Sequence, residues 1–248
     1  SFLDSKHSRW EISCVHTRSK SQSSTEIRNV SESLHGLSRM IDLYTWKTPN
    51  GRKISIMLEE VGLDYEVHPV NINEGEQHQK HFLKICPNGK IPAIVDQDNG
   101  KSLFESGAIL IYLAEKTKQL LPANDYWDII QWLMWQMANV GPMFGQTHHF
   151  LKHHPDASKY ASARYHKETL RLYKVLDDHL SENNFLASNF SIADIAVWPW
   201  VARFGWHQMN FSDYPNVHRW YLEIASRPSV QKGYDVPSFG EEVPLPTV

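Results

Sequence analysis

The stretch Asn88-Gly89-Lys90-Ile91-Pro92-Ala93-Ile94-Val95, followed after a short hairpin by Leu103-Phe104-Glu105-Ser106, decides how this chain is read. The first half is a strand with a proline at its entrance. Pro92 has no N–H to give a ladder, and its X-Pro bond is of the type that can be cis, so the backbone there is tight and exposed, with free groups at a rim. The second half runs into the periodic apolar residues 108–114. Ser106 and its neighbours therefore fall at a helix N-terminus, which attracts a carboxylate or other anion. Backbone donors and acceptors beside such a helix start make a site for a short peptide.

Upstream, Ile41-Asp42-Leu43-Tyr44-Thr45-Trp46 alternates like a strand and Lys47-Thr48-Pro49-Asn50-Gly51 breaks it. Residues 52–61 place Ile54, Met57, Leu58 and Val61 on one helical face, with Gly62 where a left-handed C-cap belongs. Residues 65–70 read as a second strand, parallel to the first because a helical crossover joins them. The loop holding Thr48 and Asn50 then lies at the carboxyl end of the sheet, where open α/β sheets bind ligands. A polar stretch, 73–79, precedes a short helix with His81, Phe82 and Ile85 that ends before Pro87. Strands at 91–95 and 101–104 flank Asp98-Asn99-Gly100, read as a hairpin turn whose central residues both take positive φ. A helix over 106–116 completes the order βαβαββα.

Beyond a linker at 117–125 the pattern turns helical, predicting helices over 127–140, 160–180, 192–206 and 217–226. Ser191-Ile192-Ala193-Asp194 reads as a capping box, with Phe190 and Ile195 as its hydrophobic staple. Pro199 falls inside that helix and should bend it. The fold class is thus α/β plus all-α: a first domain over 40–118, a helical domain over 126–233 and an irregular tail over 234–248. Residues 1–39, rich in serine, read as a disordered extension or an expression or upstream-frame remnant ahead of a start at Met40. The alternative of a transit peptide is opposed by Asp4, Glu11, Glu26 and Glu32.

A net charge of −3 gives no basic footprint for nucleic acid or an anionic membrane. No apolar run approaches the ~18 residues that span a bilayer. Nine Trp, ten Tyr and ten Phe concentrate after residue 125, suiting a helical core with polar-tipped rings near a cleft or interface. Cys14 and Cys86 form no disulfide framework or redox pair, which fits a reducing, cytoplasmic setting. Cys86 reads as a small buried residue, not a redox centre. His148, His149, His153 and His154 could pair on a metal if helical; Pro155 and the lack of carboxylates or cysteines favour a polar cleft wall or solvated loop, so no metal is expected. Trp132, Trp135, Met134 and Met137 are assigned to core or dimer interface, with Trp135, Phe144 and Phe150 as candidate pocket walls.

The Ile-Pro loop and Glu-Ser helix start, joined to a helical domain with a Ser-Ile-Ala-Asp box, resemble the cytosolic glutathione transferases over residues 40–227. Thr48-Pro49-Asn50-Gly51, the 87–95 and 103–109 stretches, and Gly141-Pro142-Met143 with Gly145-Gln146 resemble more narrowly the nu-class, Ure2p-like branch. The resemblance implies a thioredoxin-like first domain and a homodimer that binds glutathione as cosubstrate. It implies that the backbone at Ile91, before Pro92, pairs with the cysteinyl part. Ser106 would hold the γ-glutamyl carboxylate and Glu105 its ammonium. Lys90 would meet the glycyl carboxylate, with Gln77 reaching the same ligand. Arg164 matches an arginine of the branch that faces the cleft.

The loop after the first strand offers no cysteine, and Tyr44 lies within the strand, so Thr48 and Asn50 are the candidate catalytic residues. A threonine hydroxyl donating to S⁻, with the helix start near Gly51, favours the thiolate. The nucleophile would then be glutathione itself, acting on a disulfide or peroxide as this branch is associated with. The expected function is a glutathione-dependent disulfide-bond oxidoreductase with a small disulfide, peroxide or electrophile as second substrate. The alternatives are a non-catalytic glutathione-binding regulator or scaffold, and conventional conjugation to electrophiles.

Overall fold

The computed structural model describes residues 40–246, which belong to one compact unit. The readings of residues 1–39, Cys14 among them, lie outside the described residues. β1 (Ile41–Thr45) runs parallel to β2 (Tyr65–Pro69) and antiparallel to β3 (Ala93–Asp96), whose far edge carries β4 (Lys101–Phe104). The sheet order is β2-β1-β3-β4. The strand period divides β1 between two cores. Ile41 and Leu43 join Ile94 beneath the helices on one face, while Tyr44 packs with Val70, Phe82, Cys86 and Ala93 on the other.

α1 (Pro49–Val61) is the parallel crossover. Thr48 caps it, Pro49 occupies a first-turn position where no N–H is needed, and Gly62 ends it at φ 67°. α2 (Lys80–Ile85) is short, and α3 (Ser106–Thr117) follows the hairpin. The hairpin itself differs from the expected turn, in which both central residues take positive φ. Residues 97–100 form a four-residue loop in which only Gly100 has positive φ, at 68°. Asp96 accounts for this: its side chain accepts the Asp98 N–H at 2.9 Å, its carbonyl the Gly100 N–H at 2.7 Å, and its buried carboxylate pairs with Lys116 at 2.7 Å.

The helical half departs further from expectation. α4 (Tyr126–Trp135) continues through a π-helical segment (Gln136–Val140), α5 (Gly141–Thr147) and a second π segment (His148–His153), where the sequence predicts a stop at 140. The Gly141-Pro142 pair reads as a breaker, yet the wider turn lets the Gly141 N–H reach the Gln136 carbonyl and puts Pro142 at the start of the next segment. α6 (Lys159–Leu180) is capped by Ser158. α7 (Ile192–Val201) has the capping box: Asp194 accepts the Ser191 N–H at 3.0 Å while the Ser191 hydroxyl accepts the Ala193 N–H at 3.2 Å. It ends at Val201, not 206: the Ala202 N–H still reaches the Trp198 carbonyl, but the Arg203 N–H turns to Trp200 at 3.1 Å in a tighter 3₁₀ bond, and Phe204–His207 is a separate 3₁₀ turn. α8 (Pro215–Ala225) is followed by α9 (Pro228–Tyr234), where the sequence pattern predicts no separate helix. α9 lies so close to α1 that a Cβ on Gly233 would fall 2.7 Å from the Ile56 backbone.

Residues 235–246 lack regular structure and strap back over the β1–α1 loop. Glu241 pairs with the buried Arg52 and, at 3.2 Å, with Lys47. Phe239 packs edge-on to Trp46 at 5.2 Å, and Tyr221 donates to the Pro244 carbonyl at 2.5 Å. Among the described residues, no helix is long and apolar enough to cross a membrane.

Candidate active site

The β1–α1 loop is fixed from three sides. The Thr48 hydroxyl oxygen accepts the Gly51 N–H at 3.1 Å, so its own hydrogen remains free to donate. Asn50 accepts the Trp200 indole N–H at 3.1 Å through its side-chain oxygen, which leaves its NH₂ toward the cleft. Gly51 admits no side chain: a Cβ would stand 2.3 Å from the Trp46 carbonyl and 2.5 Å from the Thr45 hydroxyl. The first turn of α1 can therefore sit against the loop only with glycine there.

Facing it across one cleft are Lys90, Ile91, Pro92, Glu105 and Ser106. The Ile91–Pro92 bond is cis, and Lys90 is exposed. Cys86 is 1% exposed, and its thiol donates to the Lys90 carbonyl at 3.2 Å. It is the small buried residue expected, here tethering the loop. Glu105 adopts φ 68°, a conformation that costs a non-glycine residue about 1–3 kcal/mol. It turns the chain sharply into α3 and leaves the Glu105 side chain exposed while Ser106 is 4% exposed. Behind Ser106 lies Lys53, fully buried, with Nζ 3.2 Å from the Ser106 hydroxyl and 2.7 Å from the Gln136 side-chain oxygen. Burial lowers its pKa to about 7, against the opposing pull of Glu105. Met137 closes the same wall, and a Cβ on Gly107 would come within 3.1 Å of it.

Three expected site residues lie outside this lining: Thr48, two residues before Asn50 in the β1–α1 loop, and Gln77 and Arg164. Gln77 flanks the Lys90 loop, its carbonyl 3.2 Å from where a Cβ of Gly89 would be, but its side chain is not among the cleft walls. Arg164 is exposed on α6 and lines a different groove with Met143, Tyr160 and Arg171. Phe144, a candidate pocket wall, is instead 1% exposed in the core, stacked on Tyr173 at 5.0 Å. The solvated-loop reading of the histidines is corrected at His148. It is buried in the second π segment, its Nε2 2.7 Å from Nε2 of His207, whose Nδ1 is 2.7 Å from the Tyr173 hydroxyl. Burial takes His148 down to about 3 and His207 well below its ordinary value, so both rings are neutral.

Sequence reasoning missed Lys53, Gln136, Met137 and Trp200. Lys53 had a signal: it lies one residue before Ile54, on the flank of the apolar face of α1, where a lysine invites the question of what it pairs with. Trp200 had none, since its partner Asn50 is 150 positions away.

A thioredoxin-like sheet with a cis proline, its carboxyl-end loop and a Glu-Ser helix start facing a helical layer define a glutathione transferase fold. Residues 40–115 match the glutathione S-transferase N-terminal domain and residues 159–223 the C-terminal domain. The chain belongs to the glutathione S-transferase family. It is 46% identical over 211 residues to the disulfide-bond oxidoreductase YfcG of Escherichia coli, covering 82% of this chain and 98% of that protein. Its structure is similar to a glutathione transferase from Pseudomonas putida with one glutathione disulfide bound per subunit, at 38% identity and TM-score 0.77, over 88% of this chain and 100% of that one. It is likewise similar to the glutathione transferase URE2P8 of Phanerochaete chrysosporium with oxidized glutathione, at 29% identity and TM-score 0.76, over 81% and 96%.

Proposed function

We propose that the chain is a glutathione-dependent disulfide-bond oxidoreductase whose nucleophile is the thiolate of bound glutathione. The observation that carries this reading is the β1–α1 loop, which presents a Thr48 hydroxyl with its hydrogen free and an Asn50 NH₂ at a helix start, and contains no cysteine. Two donors and a helix N-terminus favour a thiolate over a thiol. The name of the 46% identical relative and the glutathione disulfide of the Pseudomonas structure support the same chemistry.

In this reading Lys90 meets the glycyl carboxylate, the Ile91 backbone beside Pro92 pairs with the cysteinyl unit, Glu105 takes the ammonium, and Ser106 the γ-glutamyl carboxylate. Thr48 and Asn50 hold the sulfur as an anion. The thiolate attacks one sulfur of a disulfide, forming a mixed disulfide and expelling the other sulfur as a thiolate that takes a proton from water. A second glutathione thiolate attacks the mixed disulfide, giving glutathione disulfide and the second reduced thiol. A peroxide would be reduced at its O–O bond by the same thiolate. The reading carries with it a homodimer in a reducing, cytoplasmic setting; exposed Trp127 and Met134 on α4 supply apolar surface suited to a second copy.

The test is glutathione-dependent reduction of hydroxyethyl disulfide by wild type, Thr48→Ala and Asn50→Ala, with glutathione binding measured by calorimetry. Assayed below the thiol pKa of bound glutathione, both variants should lose rate while still binding. A wild-type rate no better than buffer sinks the oxidoreductase reading; binding without turnover then points to a regulator, and turnover of chlorodinitrobenzene alone to conjugation.

A further inference from the structure

Lys53 is an expensive residue to place where it stands. It is fully buried in the middle of α1, and no carboxylate lies within salt-bridge distance of it among the described residues. Its three N–H groups are accounted for by neutral acceptors: the Ser106 hydroxyl at 3.2 Å, the Gln136 carboxamide oxygen at 2.7 Å and the Met137 sulfur at 3.8 Å. Methionine would fill the same volume without desolvating an ammonium. Packing therefore does not explain a lysine here.

What the lysine does is aim Ser106. When charged, Lys53 only donates, so the Ser106 oxygen is its acceptor and the hydroxyl hydrogen points away from it, toward the Met137 sulfur at 3.9 Å, a weak acceptor. Ser106, at the start of α3, and Met137 both line the cleft, so a carboxylate arriving there can take that hydrogen in place of the sulfur. The ionisable group acting on Lys53 is Glu105, which the reading above engages with the ligand's ammonium. A bound carboxylate would then be the counter-ion Lys53 lacks.

We infer that Lys53 is a positioning residue for the anionic end of the bound peptide: its Nζ fixes the Ser106 hydroxyl as a donor into the cleft and supplies the buried positive charge that a carboxylate at Ser106 neutralises. This rests on the reading of Ser106 as the γ-glutamyl carboxylate site. Because burial brings Lys53 to about 7, part of the population is neutral near pH 7, and an arriving anion draws a proton onto it. Affinity for the anion accordingly falls as pH rises from about 6 to 8.

The experiment uses S-methylglutathione, which has no thiol to titrate, and its analogue with the γ-glutamyl carboxylate converted to an amide. Calorimetry in buffers of different ionisation enthalpy gives affinity and protons taken up, for wild type, Lys53→Met and Gln136→Met. Wild type should prefer the acid over the amide by about tenfold or more, the size of a charge-assisted bond, and take up a fraction of a proton on binding the acid. Lys53→Met should lose both the preference and the uptake while still binding the amide. Gln136→Met, which strips the closest acceptor and keeps the lysine, should keep the preference and increase the uptake; it carries the test if Lys53→Met does not fold. A Lys53→Met protein, or failing that a Gln136→Met protein, with wild-type preference and wild-type proton uptake overturns the role of Lys53 and leaves the glutathione reading standing. A wild type that binds neither ligand overturns both.

Discussion

Valine at position 48 keeps the shape of threonine and deletes its hydroxyl, and the two consequences are separable. The Gly51 N–H loses its acceptor at 3.1 Å, an N-cap loss of about 1 kcal/mol in stability. On the proposed reading, the bound thiolate loses a hydrogen bond to an ionised acceptor, a class worth ~1.5–3 kcal/mol. At ~1.4 kcal/mol per unit this raises the thiol pKa of bound glutathione by about 1–2 units. The rate does not fall by the whole factor, because a more basic thiolate attacks faster, with a Brønsted coefficient of about 0.4–0.5. On the acid side, one unit divides the thiolate fraction by about 10 and multiplies its reactivity by about 3; two units give about 100 and about 8. Thr48→Val should therefore be about 3- to 12-fold slower at low pH and about 3- to 8-fold faster at high pH. The two pH–rate curves must cross. The assay is hydroxyethyl disulfide reduction at saturating glutathione, with thiolate absorbance in the ultraviolet read on the same samples and Thr48→Ser as the rescue. Curves that stay parallel, with an unmoved absorbance midpoint, would show Thr48 to be a cap and nothing more.

Gly51→Ala reverses the usual helix preference: alanine gains about 1 kcal/mol in propensity, but a Cβ 2.3 Å from the Trp46 carbonyl brings overpacking of about 1–3 kcal/mol, so denaturant midpoint and turnover should both fall. In Glu241, burial raises the carboxyl pKa, but Arg52, Lys47 and Arg203 outweigh it and hold the group below its ordinary range. Its stabilising contribution is thus present at neutral pH and lost as pH falls through that lowered value. Glu241→Gln should cost about 1–3 kcal/mol at pH 7, less than a fully buried pair because the carboxylate is partly exposed, and the difference from wild type in urea melts should vanish in acid. Cys86→Ala should retain disulfide reduction, since its thiol is engaged with the Lys90 carbonyl; complete loss would refute the cysteine-free scheme.

The sheet and its crossover were legible because their signals are local. The alternation of residues 41–46, the Thr48-Pro49 helix start and Gly62 each act within a few positions, and each appears where the pattern put it. The capping box at Ser191 was legible for the same reason. The run through Gly141-Pro142 was not, because the pair carries the signature of a breaker and the π turn that accommodates it adds no residue signature of its own. The hairpin was misjudged because Asp96, outside the Asn-Gly signal, captures the turn's N–H groups. In the site, the residues of the Ile-Pro and Glu-Ser stretches could be read, whereas Trp200 and Gln136 enter through contacts spanning 150 and 83 positions that no spacing encodes.

The strap at Glu241 gives the chain an order in time. Arg52 is made 189 residues before its carboxylate partner, and Lys47 and Trp46 wait as long for Glu241 and Phe239. During synthesis the four strands and α1 can pair from local information while the loop holding Thr48 still lacks its clamp. A protease that trims residues 238–246 would act in the reverse direction, releasing the loop before it disturbs the core. For this chain, competence as a catalyst would thus be the last property gained and the first one lost.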